Sequence, residues 1–105
     1  MGTLISTITE NGLATDQEKR PGKVEDDKDR ISYIREHLRE IVRCQQVGIN
    51  VCGYYYWTLL DDYEGTSGYR YCFGLAHVDL ETLCRTPRQS WYYYQKCIAN
   101  NTVVP

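Results

Sequence analysis

One segment of the chain has a clear helical period. Between residues 29 and 47, apolar side chains recur at steps of three and four residues, which is typical of a helix that buries one face. The apolar stripe consists of Ile31, Ile34, Leu38, Ile41 and Val42. Aspartates crowd its start, where carboxylates favour a helix, and Gly48 lies where a left-handed residue commonly ends one. The pattern predicts an amphipathic helix over residues 29–47.

Two stretches of β-forming composition flank this helix. Residues 4–10 are rich in β-branched side chains, and residues 49–60 form an apolar and aromatic run without clean alternation. A run of the second kind is typical of a strand covered on both faces. We therefore predict two parallel strands, 4–10 and 49–60, joined by the crossover helix in a β-α-β unit.

The remaining segments are predicted to be loops and one further helix. Residues 13–28 are polar and aperiodic, with Pro21-Gly22 at their middle, and residues 61–68 are rich in acids and glycine. We predict a loop for each. Thr86 and Pro87 match an N-cap and a first helical position, which predicts a C-terminal helix over residues 87–99.

The composition is that of an ordinary globular protein of one small domain. Of 105 residues, 42% are hydrophobic, and the formal net charge of -2 provides no basic field for nucleic acid or an anionic membrane. No apolar run approaches the length of a membrane helix. The five cysteines include no Cys-x-x-Cys pair, so disulfides and a zinc site are both disfavoured. We expect a cytoplasmic protein without metal or cofactor.

Glu10 is the most informative single residue. It ends the first predicted strand and precedes Asn11-Gly12, a dipeptide typical of turns. Acidic residues are poor strand formers, so a carboxylate at this point has either a capping or a chemical role. On the four residues Thr9 to Gly12 alone, a solvated turn carboxylate is the simpler interpretation.

A second group of acids follows the second predicted strand. Asp61, Asp62 and Glu64 come shortly after Trp57. Because the carboxyl ends of parallel strands share one edge, these acids are expected on the same edge as Glu10, where α/β proteins bind ligands. An indole beside carboxylates suits a sugar ring, and glycoside hydrolysis requires two carboxyl groups flanking the anomeric carbon.

Five motifs occur in one order along nearly the whole chain. Residues 8–12 read Ile-Thr-Glu-Asn-Gly, residues 27–33 fit Asp-x-x-Arg-Ile-x-Tyr, and residues 57–65 are similar to Trp-Ser-Leu-Leu-Asp-Asn-Phe-Glu-Trp. Residues 72–79 are similar to Arg-Phe-Gly-Leu-x-x-Val-Asp, and residues 85–90 to Arg-x-Pro-Lys-x-Ser. In this combination the sequence resembles the C-terminal part of the family 1 glycoside hydrolases, the β-glucosidase and β-galactosidase family.

The resemblance implies a fold, an activity and roles for five residues. The family is a (β/α)8 TIM barrel, so this α/β chain looks like its last two β/α units. It implies retaining hydrolysis of β-glycosidic bonds, with Glu10 as the nucleophile that forms a covalent glycosyl-enzyme. Trp57 looks like the platform under the sugar, Glu64 like the acceptor for its O4 and O6 hydroxyls, and Phe73 and Asn11 like further substrate-binding residues. Because relatives that take 6-phosphosugars have Ser at the Glu64 position, an unphosphorylated β-glucoside or related small saccharide is implied.

The chain also departs from the family pattern. Gly65 stands where the family has a sugar-contacting Trp, and Cys72 replaces a usual Arg. The Asn-Glu-Pro motif that supplies the family's acid/base does not occur in the sequence. A barrel of this kind typically needs about 250 residues or more, so we expect 105 residues to supply only part of one.

Three interpretations follow. The chain is part of a retaining β-glycosidase, or a catalytically inactive truncated product that acts only as a binding or association module, or a small self-contained α/β module. Two parallel strands with open edges cannot bury both faces, so we expect the chain to associate with a complementary barrel chain or with itself.

Overall fold

The computed structural model describes residues 4–16 and 22–105. Residues 1–3, and residues 17–21 of the predicted 13–28 loop, lie outside the described residues. In chain order the elements are β1 (Ile5–Asn11), β2 (Thr15–Asp16), α1 (Lys28–Gln46), β3 (Asn50–Tyr56), a 3-10 turn (Gly65–Ser67), β4 (Tyr71–Cys72), β5 (Ala76–Val78), β6 (Arg85–Pro87) and α2 (Gln89–Asn100). The described residues form an α/β structure with no closed barrel.

The central unit is β1, α1 and β3. The two strands pair in parallel, from Ile5 opposite Asn50 to Asn11 opposite Tyr56, with irregularities within the register. β3 ends at Tyr56 and not at residue 60, because the backbone then changes partner. The Thr58 N–H donates to the Phe73 carbonyl at 3.2 Å, and the Leu75 N–H donates to the Thr58 carbonyl at 2.9 Å.

The two faces of this sheet have different environments. Val51 is buried, and the Tyr54 and Tyr56 rings meet the Tyr94 ring of α2, with centroids 6.2 and 6.3 Å away. On the other face, Tyr55 is 62% exposed and Trp57 is 36% exposed. The helices therefore cover one face, and the face that carries Trp57 is open.

The apolar core lies between the helices and the segment before β5. Its buried members are Ile34, Leu75, Tyr93 and Cys97. This is a small core, and polar groups are buried beside it: Asp27, Arg30, Arg88 and Ser90 are each at most 2% exposed. Among the described helices, none has the length and apolar character needed to cross a bilayer. All five cysteines are free thiols.

The start of α2 differs from the sequence prediction. Pro87 lies in β6 opposite Ala76, so α2 begins at Gln89, and Thr86 is not its cap. The capping carboxylate comes instead from Asp27, which accepts hydrogen bonds from the Ser90 backbone N–H at 2.9 Å and from the Ser90 hydroxyl. A long-range contact has replaced the expected local cap, and it ties the segment before α1 to α2.

Asp27 also neutralises a buried arginine. Its second oxygen lies 3.0 Å from Arg30 Nη1, and both side chains are fully buried. Arg30 Nη2 donates to the Cys72 carbonyl at 2.9 Å and to the Thr15 hydroxyl at 3.1 Å. One ion pair thereby connects α1, β2, β4 and the start of α2.

A second buried pair lies between Asp61 and Arg88. The guanidinium donates to both carboxylate oxygens, at 2.8 and 2.9 Å. Burial alone raises the pKa of Asp61, but the hydrogen bonds and charge of Arg88 outweigh burial and leave the pKa below its ordinary value.

We predict that Asp27→Ala lowers the free energy of unfolding by about 3–5 kcal/mol, because it leaves the Arg30 guanidinium buried without its counter-ion. Urea denaturation measures the loss. The matched control is Glu36→Ala, which removes an exposed partner 3.0 Å from Arg39 and should cost less than about 1 kcal/mol. Equal losses in the two variants would contradict the prediction.

The lowered pKa of Asp61 predicts a pH dependence. A carboxyl group with a depressed folded-state pKa stabilises the fold above its unfolded pKa of about 3.9, and this contribution is lost as the pH falls through the folded value. We expect the stability difference between the parent chain and Asp61→Asn to narrow steadily from about pH 5 to pH 2. Urea titrations across this range measure it, and a constant difference would show that the charge of Asp61 contributes nothing.

Candidate functional site

Glu10 is exposed near the C-terminal end of β1. Asn11 follows it, and the Asn11 amide oxygen accepts a hydrogen bond from the Tyr54 hydroxyl at 2.9 Å. Tyr54 belongs to the helix-covered face, so the Asn11 side chain points to that face. Glu10 lies within the register irregularity between Ile8 and Asn11, and it is exposed, as are Tyr55 and Trp57. No hydrogen bond or ion pair joins the Glu10 carboxylate to another residue in ranges 4–16 and 22–105.

The ends of β1 and β3 meet through their backbones at Gly12. The Trp57 N–H donates to the Asn11 carbonyl at 2.9 Å. A Cβ placed on Gly12 would lie only 1.8 Å from the Trp57 carbonyl oxygen, so no larger residue fits without displacing a strand end. The Asn-Gly pair was interpreted as a turn, but β1 continues through Asn11, and the glycine permits close approach of two strands.

Trp57 and Glu64 are in direct contact. The indole Nε1–H donates to Glu64 Oε1 at 3.1 Å, across the loop that connects the two residues. The Trp57–Thr58 peptide bond is cis. Glu64 itself is half-buried, and its backbone N–H donates to the Gly68 carbonyl at 2.8 Å, which closes the loop over the 3-10 turn.

A cleft of about 430 Å³ opens beside Glu64. It is lined by Ala14, Glu64, Gly65, Thr66, Ser67, Tyr71 and Phe73. Phe73 is thus brought to the same side of the loop as Glu64, while its carbonyl accepts hydrogen bonds from the Thr58 N–H and from the Tyr56 hydroxyl at 2.9 Å. Gly65 has a φ of 44°, a left-handed conformation that disfavours side chains such as the Trp expected from the family pattern.

The acids after β3 do not act as one group. Asp61 was expected with Glu64 at the ligand edge, but its side chain is only 7% exposed and pairs with Arg88. Asp62 accepts a hydrogen bond from the Tyr63 N–H at 2.7 Å, which is a local loop contact. Of this group, only Glu64 contacts Trp57. Across the described part of the chain, no cluster of three His, Cys, Asp or Glu side chains is arranged to hold a metal ion.

Sequence reasoning missed the contribution of Tyr54. Its hydroxyl fixes Asn11, next to Glu10, and burial raises the pKa of this phenol, followed by the influence of Tyr94 and other neighbouring tyrosines. The hydroxyl is therefore a stable neutral donor near neutral pH. The high count of ten tyrosines was a signal of polar-tipped rings, but it did not indicate which one would reach Asn11.

Comparison with known proteins gives a consistent assignment. The family model described as glycosyl hydrolase family 1 matches residues 4–103. β-Glucosidase A of Acetivibrio thermocellus is 43% identical over 95 residues, which are 90% of this chain and 21% of the relative. A 6-phospho-β-galactosidase of Streptococcus equi subsp. zooepidemicus is 42% identical over 96 residues, which are 91% of this chain and 20% of the relative.

The fold comparison agrees with the sequence comparison. The family 1 β-glucosidase of Thermotoga maritima superposes with a TM-score of 0.84 at 36% identity, over 94% of this chain and 22% of the solved chain. The chain thus spans about a fifth of the length of the curated relatives it matches. Because the family model covers nearly all of it, the chain belongs to glycosyl hydrolase family 1.

Proposed function

We propose that this chain supplies the nucleophile and part of the sugar site of a retaining β-glycosidase. The observation that supports this most directly is the placement of Glu10: an exposed carboxylate near the C-terminal end of β1, next to Asn11, whose carbonyl accepts a hydrogen bond from the Trp57 N–H at 2.9 Å. In a retaining mechanism this carboxylate attacks the anomeric carbon as the glycosidic bond breaks, and it forms a covalent glycosyl-enzyme. An acid/base from the rest of the barrel would protonate the departing aglycone oxygen and then deprotonate the water that releases the sugar.

The site offers complementary contacts to a pyranose. The Trp57 indole provides an apolar face for the ring C–H groups, and its Nε1–H donates a hydrogen bond to Glu64 at 3.1 Å. The Glu64 carboxylate is a strong acceptor for sugar hydroxyls such as O4 and O6. Phe73 lines the cleft beside Glu64, where the O6 side of the sugar would lie. Asn11, whose side-chain oxygen accepts a hydrogen bond from Tyr54, is proposed to hold the strand end beside Glu10.

The proposed substrate class is an unphosphorylated β-glucoside or related small saccharide. Curated relatives include both β-glucosidases and 6-phospho-β-galactosidases, so the family assignment alone leaves the choice open. Glu64 favours the unphosphorylated class, because a carboxylate repels a phosphate at the same position. The Thermotoga maritima relative has been solved in complex with glucoimidazole and with isofagomine lactam.

The chain is proposed to form the last two β/α units of a TIM barrel, with the acid/base supplied by the rest of that barrel. General acid/base groups contribute about 10²–10⁴-fold, so we expect no steady turnover of an aryl β-glucoside by this chain alone. The proposed cytoplasmic location rests on the five free thiols and remains a prediction.

An apolar groove supports association with another chain. Such association fits the second interpretation, a binding module, and is also compatible with the first. A groove of about 370 Å³ lies between α2 and the segments that carry Leu59 and Leu75, and it is lined by Leu59, Leu75, Trp91, Tyr94, Gln95, Ile98 and Ala99. Leu59 is 56% exposed and Ile98 is 64% exposed. Since the solved relative continues for almost four-fifths of its length beyond the matched part, we propose that a complementary barrel segment covers this groove.

The nucleophile is tested in a chimera in which residues 4–103 replace the matched segment of the Thermotoga maritima β-glucosidase. We expect the chimera to hydrolyse an aryl β-glucoside and to be labelled at Glu10 by an activated 2-fluoro-glucoside, because the fluorine slows release of the glycosyl-enzyme. Glu10→Gln should lower kcat by roughly four orders of magnitude or more, since a nucleophile is removed.

Asp62→Asn serves as the control, because this carboxylate is exposed and, among the described residues, accepts a hydrogen bond from Tyr63 within its own loop. It should leave both hydrolysis and labelling within about twofold of the chimera. Hydrolysis that survives Glu10→Gln, or a label mapped to another residue, would refute the assignment of the nucleophile.

The association surface is tested by mixing this chain with a Thermotoga maritima β-glucosidase that lacks its matched fifth. We expect a one-to-one complex in sedimentation velocity, which Ile98→Glu weakens at least about tenfold because it places a charge in an apolar groove. Tyr92→Glu is the matched control, since Tyr92 is 52% exposed on α2 but does not line the groove. Homodimers without any complex with the partner would favour self-association. A chain that stays monomeric in the presence of the partner would contradict both forms of association.

A further inference from the structure

Asp61 lies between Trp57 and Glu64 in the chain but takes no part in their contact. Its carboxylate is buried and accepts hydrogen bonds from three other segments. Arg88 donates to both oxygens, the Gly74 N–H donates to Oδ1 at 2.9 Å, and His77 Nδ1 lies 3.2 Å from Oδ2. The loop that presents Glu64 is thereby anchored at its first residue.

Arg88 extends this anchor to the backbone of the neighbouring segments. Its Nη1 donates to the Gly74 carbonyl at 2.6 Å, and its Nε donates to the Val24 carbonyl at 2.9 Å. Its backbone N–H donates to the Leu75 carbonyl at 2.9 Å. A Cβ on Gly74 would lie 2.4 Å from the Asp61 nitrogen and 2.5 Å from Asp61 Oδ1, so the carboxylate occupies space that only glycine leaves open.

This arrangement connects directly to the residues beside the sugar site. Gly74, held between Asp61 and Arg88, follows Phe73, which lines the cleft with Glu64. The same segment pairs with Thr58, the residue after Trp57, through hydrogen bonds of 3.2 Å at Phe73 and 2.9 Å at Leu75. The ion pair is thus linked, through Gly74, to the backbone pairing between the segment that carries Trp57 and the segment that carries Phe73.

The contact between Trp57 and Glu64 needs such support. It is a single hydrogen bond of 3.1 Å between partly exposed groups, and a bond of this kind contributes only about 0.5–1.5 kcal/mol. That free energy is comparable to the conformational entropy cost of fixing both side chains in single rotamers. The geometry of the pair must then be decided mainly by where the backbone places the two residues.

We propose that Asp61 and Arg88 are positioning residues of the sugar site, which hold Trp57, Glu64 and Phe73 in one arrangement through the backbone and touch no sugar themselves. This inference rests on the proposed function for the identity of the site, but its structural content is independent of any bound sugar. It predicts that loss of the ion pair alters the Trp57–Glu64 contact before it unfolds the chain.

The test observes the indole N–H signals of the 105-residue chain after ¹⁵N labelling of tryptophan. The chain has two tryptophans, and Trp91→Phe assigns the signal of Trp57. Glu64→Ala gives the position of a Trp57 indole without its acceptor. In Asp61→Asn and Arg88→Lys, we expect the Trp57 signal to move most of the way toward that position or to split into two.

Two controls separate positioning from general stability. Ser90→Ala removes a hydroxyl that donates to Asp27 at the start of α2 and should lower the urea midpoint without moving the Trp57 signal. Glu36→Gln alters an exposed ion pair on α1 and should change neither the urea midpoint nor the Trp57 signal. If Asp61→Asn does not fold, the Trp57 signal of Arg88→Lys provides the same test. The lysine keeps the positive charge but cannot bind both carboxylate oxygens.

A lowered urea midpoint with an unmoved Trp57 signal in Asp61→Asn and Arg88→Lys would overturn the proposal, because the pair would then stabilise the fold without positioning the site. Failure of the proposed function looks different: the chimera would lack activity or Glu10 labelling while the Trp57 signal still responded to loss of the ion pair.

Discussion

Two buried aspartate–arginine pairs hold together a fold whose apolar core is small. Asp27 and Arg30 lie 3.0 Å apart without solvent exposure, and Asp61 and Arg88 share two hydrogen bonds. Buried ion pairs are weak net contributors to stability, yet removal of one partner is costly because the other charge remains buried. Each pair ties together segments that are distant in sequence, as Asp27 does with Ser90 and Asp61 with Arg88.

The placement of the candidate site follows from this arrangement. β1 and β3 pair in parallel and bring Asn11 and Trp57 into backbone contact, which Gly12 makes sterically possible. Beyond Trp57 the chain leaves β1 and pairs with the segment after Phe73, so the loop with Glu64 projects from a junction of two backbone pairings. The site is thus assembled from chain segments that are distant in sequence.

The open sheet face and the exposed groove on α2 have a common explanation. The chain matches about a fifth of its relatives' length, and it exposes large apolar side chains such as Leu59, Tyr55 and Ile98. Glu10, Tyr55 and Trp57 are likewise exposed. In the proposed barrel, the remaining units would bury part of this apolar surface.

The sequence by itself determined the period of α1, the β-branched strand before Glu10 and the order of motifs that indicated the family. These are local features: a stripe every three to four residues, or a motif of a few residues, depends on no distant partner. The position of Glu10 at a strand end could be inferred in the same way.

Only the tertiary structure decided where β3 ends, what caps α2 and which acid faces the site. The Thr58 N–H donates to the Phe73 carbonyl, Asp27 caps α2 at Ser90, and Asp61 forms a buried pair with Arg88. Each of these contacts joins residues far apart in the chain, so its energy is set by packing and charge burial. No local periodicity or propensity contains that information, because the partner is chosen by the fold as a whole.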